Sequence, residues 1–274
     1  MRQWPITAIV YFFQWCLALI LGMQVFGVLE ASIGHSLEVR QLLLHYDHTV
    51  MTDFLKVHGA SITPLVGQLR WLLLVWLIFA VFIDAGLLAC AAAPGEASGL
   101  TFWKGGALYF FPFLKIGLFF LAVALVWTAV VWAPAAIYLE PALEYFPSEK
   151  YTVWSVWCLL AVYLAGLAVL FLWSVASRVR RMSPGTSTVE GLKNGWMFFR
   201  ARKWGLLGLL AGVLGVQVVL VLAYWLLETR SGMTSPASVA VFFLLQQAFV
   251  FFRIQLRQVA YAGVCLLAGR PKHL

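Results

Sequence analysis

Several long stretches of this chain contain no charged residue, and this feature constrains the fold more than any other. They include residues 5–29, 116–139, 153–177 and 205–227. A helix needs about 20 apolar residues to cross a hydrocarbon core about 30 Å thick. A membrane β-barrel would show alternating segments, whereas these runs are continuously apolar. The runs therefore predict helices that span a membrane.

The composition supports this interpretation. Of 274 residues, 63% are hydrophobic and 11% are charged, whereas soluble domains carry about 25% charged residues. An ordinary soluble enzyme core is therefore excluded. We predict an all-α polytopic helix bundle that forms a single integral membrane domain over residues 1–274. Its six spans are expected at about 5–29, 70–93, 106–138, 152–177, 204–228 and 237–267.

The charges between these spans predict the orientation. The run at 5–29 is longer than the 7–15 apolar residues of a secretory signal, so it is interpreted as an uncleaved first span. With the N-terminus inside, the inner segments hold eleven Lys and Arg residues and two acidic residues. The outer segments hold five Lys and Arg residues and eight acidic residues. Lys and Arg favour the cytoplasmic side. The pattern predicts a bacterial inner-membrane protein with both termini in the cytoplasm.

The largest outer segment, 30–69, has the pattern of an amphipathic helix over about 37–58. Apolar residues recur every three or four positions, Ser36 is placed to cap the start, and Gly59 is placed to end the helix. Thr63-Pro64 is then expected to begin the next helix. His45 and His48 are weak metal candidates here, but a zinc site needs further ligands. A solvated polar face explains them better.

Two inner segments resemble each other at an offset of 88 residues. Residues 108–118 and 196–206 share Phe-Phe, then Lys, then Gly-Leu at matching positions. Each has the pattern of a short interfacial helix that leads into a span, and the second follows Ser187 and Glu190 at capping-box spacing. The pattern favours a duplicated pair of membrane hairpins, although any interfacial lead-in needs aromatic and basic residues.

Ionisable residues within the spans are the first candidates for a functional site, because charges are costly in a bilayer. Asp84 lies in span two, while Arg253 and Arg257 lie on one face of span six. Gln246 and Gln247 belong to the same polar group. One hypothesis pairs Asp84 with Arg253 or Arg257 beside a polar cavity. The alternative is a structural pin between helices, or arginines that extend to the interface.

A second candidate is a basic cluster immediately cytoplasmic of spans four and five. Such clusters attract anionic lipid, at about 1 kcal/mol per cation, and they also enforce topology. The juxtamembrane position argues against nucleic-acid binding. The residues expected to contact anionic lipid or a partner are Arg178, Arg180, Arg181, Arg200, Arg202 and Lys203.

Two segments carry a family resemblance, namely Thr101-Phe102-Trp103-Lys104-Gly105-Gly106 through Lys115, and Gly191 through Lys203. In layout the chain resembles uncharacterised bacterial six-span inner-membrane proteins. Some of these are similar to the membrane domain fused to glycerophosphodiester phosphodiesterases. The resemblance implies a membrane accessory role and transfers no active-site residues.

Catalytic and cofactor motifs are absent from the sequence: it has no GxSxG, Walker or GxGxxG pattern in a suitable context. We therefore expect no cofactor, and an integral membrane enzyme ranks third, behind the two functions that follow. The favoured function is a scaffold or accessory subunit of a membrane complex that organises anionic lipid, with a protein partner or a second copy. The alternative is a small transporter or lipid-handling permease that uses the polar intramembrane group.

Overall fold

Six long α-helices make up the part of the chain that the structure describes. This computed structural model covers residues 4–33, 48–93, 95, 98–138, 149–231 and 236–269. No strand occurs among these residues. The helices are α1 Trp4–Ile33, α2 His48–Ala92, α3 Gly99–Tyr138, α4 Glu149–Arg181, α5 Thr188–Ser231 and α6 Pro236–Leu267.

Each of the six helices is long and apolar enough to cross a membrane. Large apolar side chains are exposed along every helix, including Met23, Trp71, Leu125, Trp157 and Val219. Exposed apolar surface on this scale is rare on soluble monomers, whereas lipid solvates it readily. The all-α fold is therefore confirmed, and the chain is a multi-pass membrane protein.

The chain divides into two compact units, of which the smaller is Thr7–Ala80. Within this unit, Phe13 of α1 packs against Phe79 of α2 with ring centroids 4.1 Å apart. The larger unit contains Met1–Ile6 and Val81–Leu274. It includes the last turns of α2 and all of α3 to α6.

The expected helix break near Gly59 is wrong, because α2 runs without interruption from His48 to Ala92. The sequence placed a helix end at Gly59 and a new start at Thr63-Pro64. A glycine costs about 1 kcal/mol in a helix and a proline about 3. The apolar helix on the C-terminal side offsets these local penalties. Residues 34–47, where the first half of the predicted amphipathic helix lies, are outside the described residues.

The predicted capping box at the start of α5 is confirmed. The Glu190 carboxylate accepts a hydrogen bond from the Ser187 N–H at 2.7 Å, and the Ser187 hydroxyl accepts one from the Glu190 N–H at 3.2 Å. Ser98 caps α3 in a similar way, since its hydroxyl accepts a hydrogen bond from the Thr101 N–H at 3.2 Å. Both helices therefore start at a polar side chain that satisfies an otherwise unpaired N–H.

Both capped helices begin with a lead-in segment before the membrane span. α3 has 40 residues and α5 has 44, about 60 and 66 Å at 1.5 Å per residue, so neither fits within a core of about 30 Å. In α5 the backbone leaves helical geometry at Arg202 (φ −122°, ψ 23°). This kink falls two residues before the predicted start of span five. The duplication of the two hairpins stays a prediction.

Glycines allow each lead-in to pack closely on the preceding helix. A Cβ on Gly195 of α5 would lie 2.5 Å from the Ser177 Cα of α4, closer than packed atoms approach. A Cβ on Gly106 of α3 would lie 2.5 Å from the Phe82 ring of α2. Small residues therefore set how closely each lead-in approaches the preceding helix.

Consecutive helices α3 to α6 pack as antiparallel neighbours, and α4 has its most extensive contact with α5. Trp127 of α3 lies against Gly166 of α4, and its indole N–H donates to the Tyr163 carbonyl at 3.2 Å. Nearer the C-terminal end of α4, the indole N–H of Trp173 donates to the Leu192 carbonyl of α5 at 3.1 Å. These contacts fix α4 between its two sequence neighbours.

Candidate functional site

The candidate site lies near the end of the bundle at which α2, α4 and α6 terminate, here called the basic end. Asp84 is eight residues from the last residue of α2, Arg178 is three from the last of α4, and Tyr261 is six from the last of α6. At 1.5 Å per residue these positions lie about 12, 5 and 9 Å from the helix ends. Three chain segments distant in sequence thus bring polar groups within about 12 Å of this end of the bundle.

Asp84 is the centre of this site, and both of its carboxylate oxygens accept charged hydrogen bonds. Arg178 Nη1 donates to Oδ2 at 2.7 Å. Arg257 Nη2 and the Tyr261 hydroxyl both donate to Oδ1. We call these four residues the Asp84 cluster. It ties α2, α4 and α6 together through one carboxylate.

The cluster is largely enclosed by protein. The side chains of Asp84 and Arg178 are 10% and 14% exposed, whereas that of Arg257 is 33% exposed. The Arg178 guanidinium lies 5.9 Å from the centre of the buried Phe113 ring, within cation–π range. Arg257 Nε also donates to the Tyr261 hydroxyl at 3.3 Å. Arg257 is therefore the member of the cluster closest to open surroundings.

The electrostatics of the cluster explain its composition. A buried carboxylate without partners would be very costly, and its two guanidinium neighbours compensate that cost. Two arginines and one aspartate leave one surplus positive charge. The Arg178 Nε is buried and has no hydrogen-bond partner among the described residues. The cluster as a whole thus favours a negative charge nearby.

The structure brings together only part of the polar group that the sequence indicated. Of the two proposed pairings, Asp84 contacts Arg257, whereas Arg253 is exposed. Gln246 donates a hydrogen bond to the Tyr224 hydroxyl at 2.7 Å, about 16 Å along α6 from Arg257. Including Gln246 in the same group was wrong, because eleven residues of helix separate it from the cluster. Gln247 is adjacent to Gln246 and similarly distant.

Arg178 also requires a correction, since the sequence assigned it to the lipid-facing basic cluster. Its guanidinium instead turns into the bundle and binds Asp84. The signal that could have revealed this is Ser174, a small buried residue that lies one turn before Arg178 on the same helix face. Tyr261 was missed too, although it lies four residues after Arg257 and therefore on the same helical face.

The other basic residues lie in the last turn of α4 and around the kink of α5. Arg180 stacks on Phe198 at 4.7 Å, and Lys203 lies 5.5 Å from the Trp204 ring. Arg200 and Arg202 are exposed, while Arg181 is partly buried. With Arg178 removed, five of the six predicted residues remain at this surface.

A groove of about 570 Å³ opens at the basic end between the α4–α5 loop, the kink of α5 and the last residues of α6. Volumes of this size suit small ligands. Two guanidiniums border it, from Arg180 and Arg202. The remaining polar lining comes from Ser183, Thr186 and Asn194, and the apolar lining includes Met197, Ala201 and Leu267.

The weak metal candidates cannot be placed, because His45 and the side chain of His48 lie outside what the structure describes. No family model, curated protein or solved structure matches the chain. The resemblance to the membrane domain of glycerophosphodiester phosphodiesterases therefore stays a prediction.

Proposed function

We propose that this protein is a non-enzymatic scaffold or accessory subunit of a membrane complex that organises anionic lipid at its basic end. The observation that carries the proposal is the Asp84 carboxylate, which accepts three hydrogen bonds. Both carboxylate oxygens are bound to donors from other helices. The intramembrane charges are thus used to hold helices in place.

The geometry favours a structural role for this cluster over a transport role. A substrate or ion site must leave coordination positions for its ligand, as broken helices and unwound segments do in transporters. Here the carboxylate has three donors. The one departure from helical backbone dihedrals in the described helices, at Arg202, lies at the lead-in of α5 rather than in the middle of a span. A fixed arrangement of α2, α4 and α6 suits a platform for partners and lipid.

The basic surface supports the lipid part of the proposal. Lys and Arg side chains at a membrane surface each contribute about 1 kcal/mol of attraction to anionic lipid. The described residues place five of them on α4 and α5 beside exposed tryptophans: Arg180, Arg181, Arg200, Arg202 and Lys203. Trp196 and Trp204, which are 38% and 76% exposed, have the amphipathic character typical of headgroup depth.

Native mass spectrometry of the protein in lipid nanodiscs drawn directly from the membrane tests this function. We expect a stoichiometric protein partner or a defined oligomer, together with anionic lipid enriched over zwitterionic lipid. A monomer that retains lipid in the proportions of the bulk membrane would contradict the proposal.

A small transporter is the alternative, and the surplus positive charge with the partly exposed Arg257 favours it. These features would suit an anionic substrate. Flux of chloride or inorganic phosphate into proteoliposomes distinguishes the two functions. Flux that Arg257→Gln abolishes and Arg253→Gln preserves would support transport, whereas absence of flux supports the scaffold.

We further propose that the basic end faces the cytoplasm of a bacterial inner membrane, with both termini on that side. The support is the excess of Lys and Arg in segments at this end. In a cysteine-free background, Pro184→Cys in the α4–α5 loop should react with a membrane-impermeant maleimide only after the cells are opened. Labelling in intact spheroplasts would reverse the orientation.

A further inference from the structure

We infer that the groove at the basic end is a specific binding site for a phosphate group, supplied by the headgroup of an anionic phospholipid. This inference rests on the proposed function and goes beyond it, because it replaces diffuse attraction to a surface with one built site. The site consists of Arg180, Arg202, Ser183, Thr186 and Asn194.

The two arginines approach the groove from different elements. Arg180 belongs to the last turn of α4 and lies against the Phe198 ring at 4.7 Å, which restricts its side chain. Arg202 is at the kink of α5, where the backbone φ of −122° departs from helical geometry. The kink lets an exposed arginine border the groove. Two guanidiniums provide the fork-shaped donors that phosphate oxygens accept.

Unused hydrogen-bonding groups complete the site. Ser183, Thr186 and Asn194 are each partly buried. Within the described part of the chain, none of these three side chains forms a hydrogen bond. The loop that carries two of them is nonetheless ordered by backbone bonds, from the Ser183 N–H to the Arg180 carbonyl and from the Thr186 N–H to the Ser183 carbonyl, both 3.3 Å. Two hydroxyls and an amide thus remain for a ligand.

The charge balance and the apolar lining identify the class of ligand. None of the described residues that border the groove is an Asp or a Glu. The charged groups that these residues offer a ligand are therefore the guanidiniums of Arg180 and Arg202. Met197, Ala201 and Leu267 form an apolar part of the wall. A phosphate attached to a glycerol backbone has both characters. The exposed Trp204 nearby marks the depth at which lipid headgroups lie.

The test compares a groove variant with a charge-matched control. Arg180→Gln/Arg202→Gln removes two positive charges from the groove, and Lys104→Gln/Lys115→Gln removes two exposed charges from α3, outside both the groove and the basic surface of α4 and α5. Native mass spectrometry would titrate each protein with phosphatidylglycerol and with phosphatidylcholine. We expect about 30-fold weaker phosphatidylglycerol binding in the groove variant, from about 1 kcal/mol per cation. The control should change by less than threefold.

A second variant separates the site from simple loss of charge or of folding. Thr186→Val/Asn194→Leu keeps the size and the charge of the lining and removes two of its polar groups. It should weaken phosphatidylglycerol binding about fivefold or more with an unchanged melting temperature. Wild-type affinity in both this variant and the arginine variant would overturn the groove site.

Soluble probes then identify the source of the phosphate. Displacement of phosphatidylglycerol by millimolar inorganic phosphate or glycerol 3-phosphate, lost in the groove variant, would support the phosphate site and overturn its assignment to a lipid. Anionic lipid bound equally by all variants and preferred over phosphatidylcholine would overturn the groove site and leave the proposed function standing. No preference in the wild type would overturn both.

Discussion

Replacing Asp84 by asparagine should destabilise the bundle more than any other single replacement of a charged side chain. The carboxylate accepts hydrogen bonds from Arg178, Arg257 and Tyr261. An amide keeps one oxygen and directs an NH2 group at an arginine. The structure thus loses two charge-assisted bonds of about 1.5–3 kcal/mol each, with two guanidiniums left uncompensated.

The expected loss in the free energy of unfolding is about 3–5 kcal/mol, the range found when one partner of a buried ion pair is removed. Most of the loss should come from the Arg178 contact, because Arg178 is 14% exposed and Arg257 is 33% exposed. Arg178→Gln should therefore cost more than Arg257→Gln. Equilibrium unfolding in mixed detergent micelles, followed by tryptophan fluorescence, provides the measurement.

The matched control is Arg253→Gln, an exposed arginine one turn before Arg257 on the same helix. It should change the free energy of unfolding by less than about 0.5 kcal/mol. A double-mutant cycle on Asp84 and Arg178 should show coupling of about 1–3 kcal/mol. If Asp84→Asn costs no more than the control, or if the cycle shows no coupling, the Asp84 cluster does not hold the helices together.

The remaining predictions concern packing and helix ends, and unfolding midpoints in the same detergent test them. Gly195→Ala should destabilise by about 1–3 kcal/mol, because the new methyl would lie 2.5 Å from the Ser177 Cα. Gly208→Ala should be neutral or stabilising by up to about 1 kcal/mol, since no described atom lies within 4 Å of the position that its methyl would take. A reversed order would contradict the close packing of α4 and α5. Ser187→Ala should cost about 1 kcal/mol, and an unchanged midpoint would show that its bond to Glu190 is unimportant.

Most of the fold could be predicted from the sequence, because the bilayer alone sets the length and apolar character that a spanning helix needs. Each apolar run of the sequence can be compared with that requirement. The helix starts at Ser98 and Ser187 follow from local hydrogen bonding, and the second was recognisable from the Ser-x-x-Glu spacing. The continuity of α2 across Gly59 was not recognisable. Gly59 and Pro64 locally disfavour a helix, whereas the neighbouring turns favour one. Whether the helix continues depends on the sum of these opposing free energies, which the local pattern does not give.

The candidate site was less predictable, because it depends on which of several similar side chains turns inward. Arg178 and Arg180 are two residues apart in one basic run, and a difference of about 200° around the helix sends them to different surroundings. One binds Asp84 inside the bundle, whereas the other lies over Phe198 at the groove. Charge counting treats the two residues as equivalent. Ser174 distinguishes them, because this small buried residue lies one turn before Arg178 on the face that packs into the bundle, whereas Arg180 lies on the other side of α4.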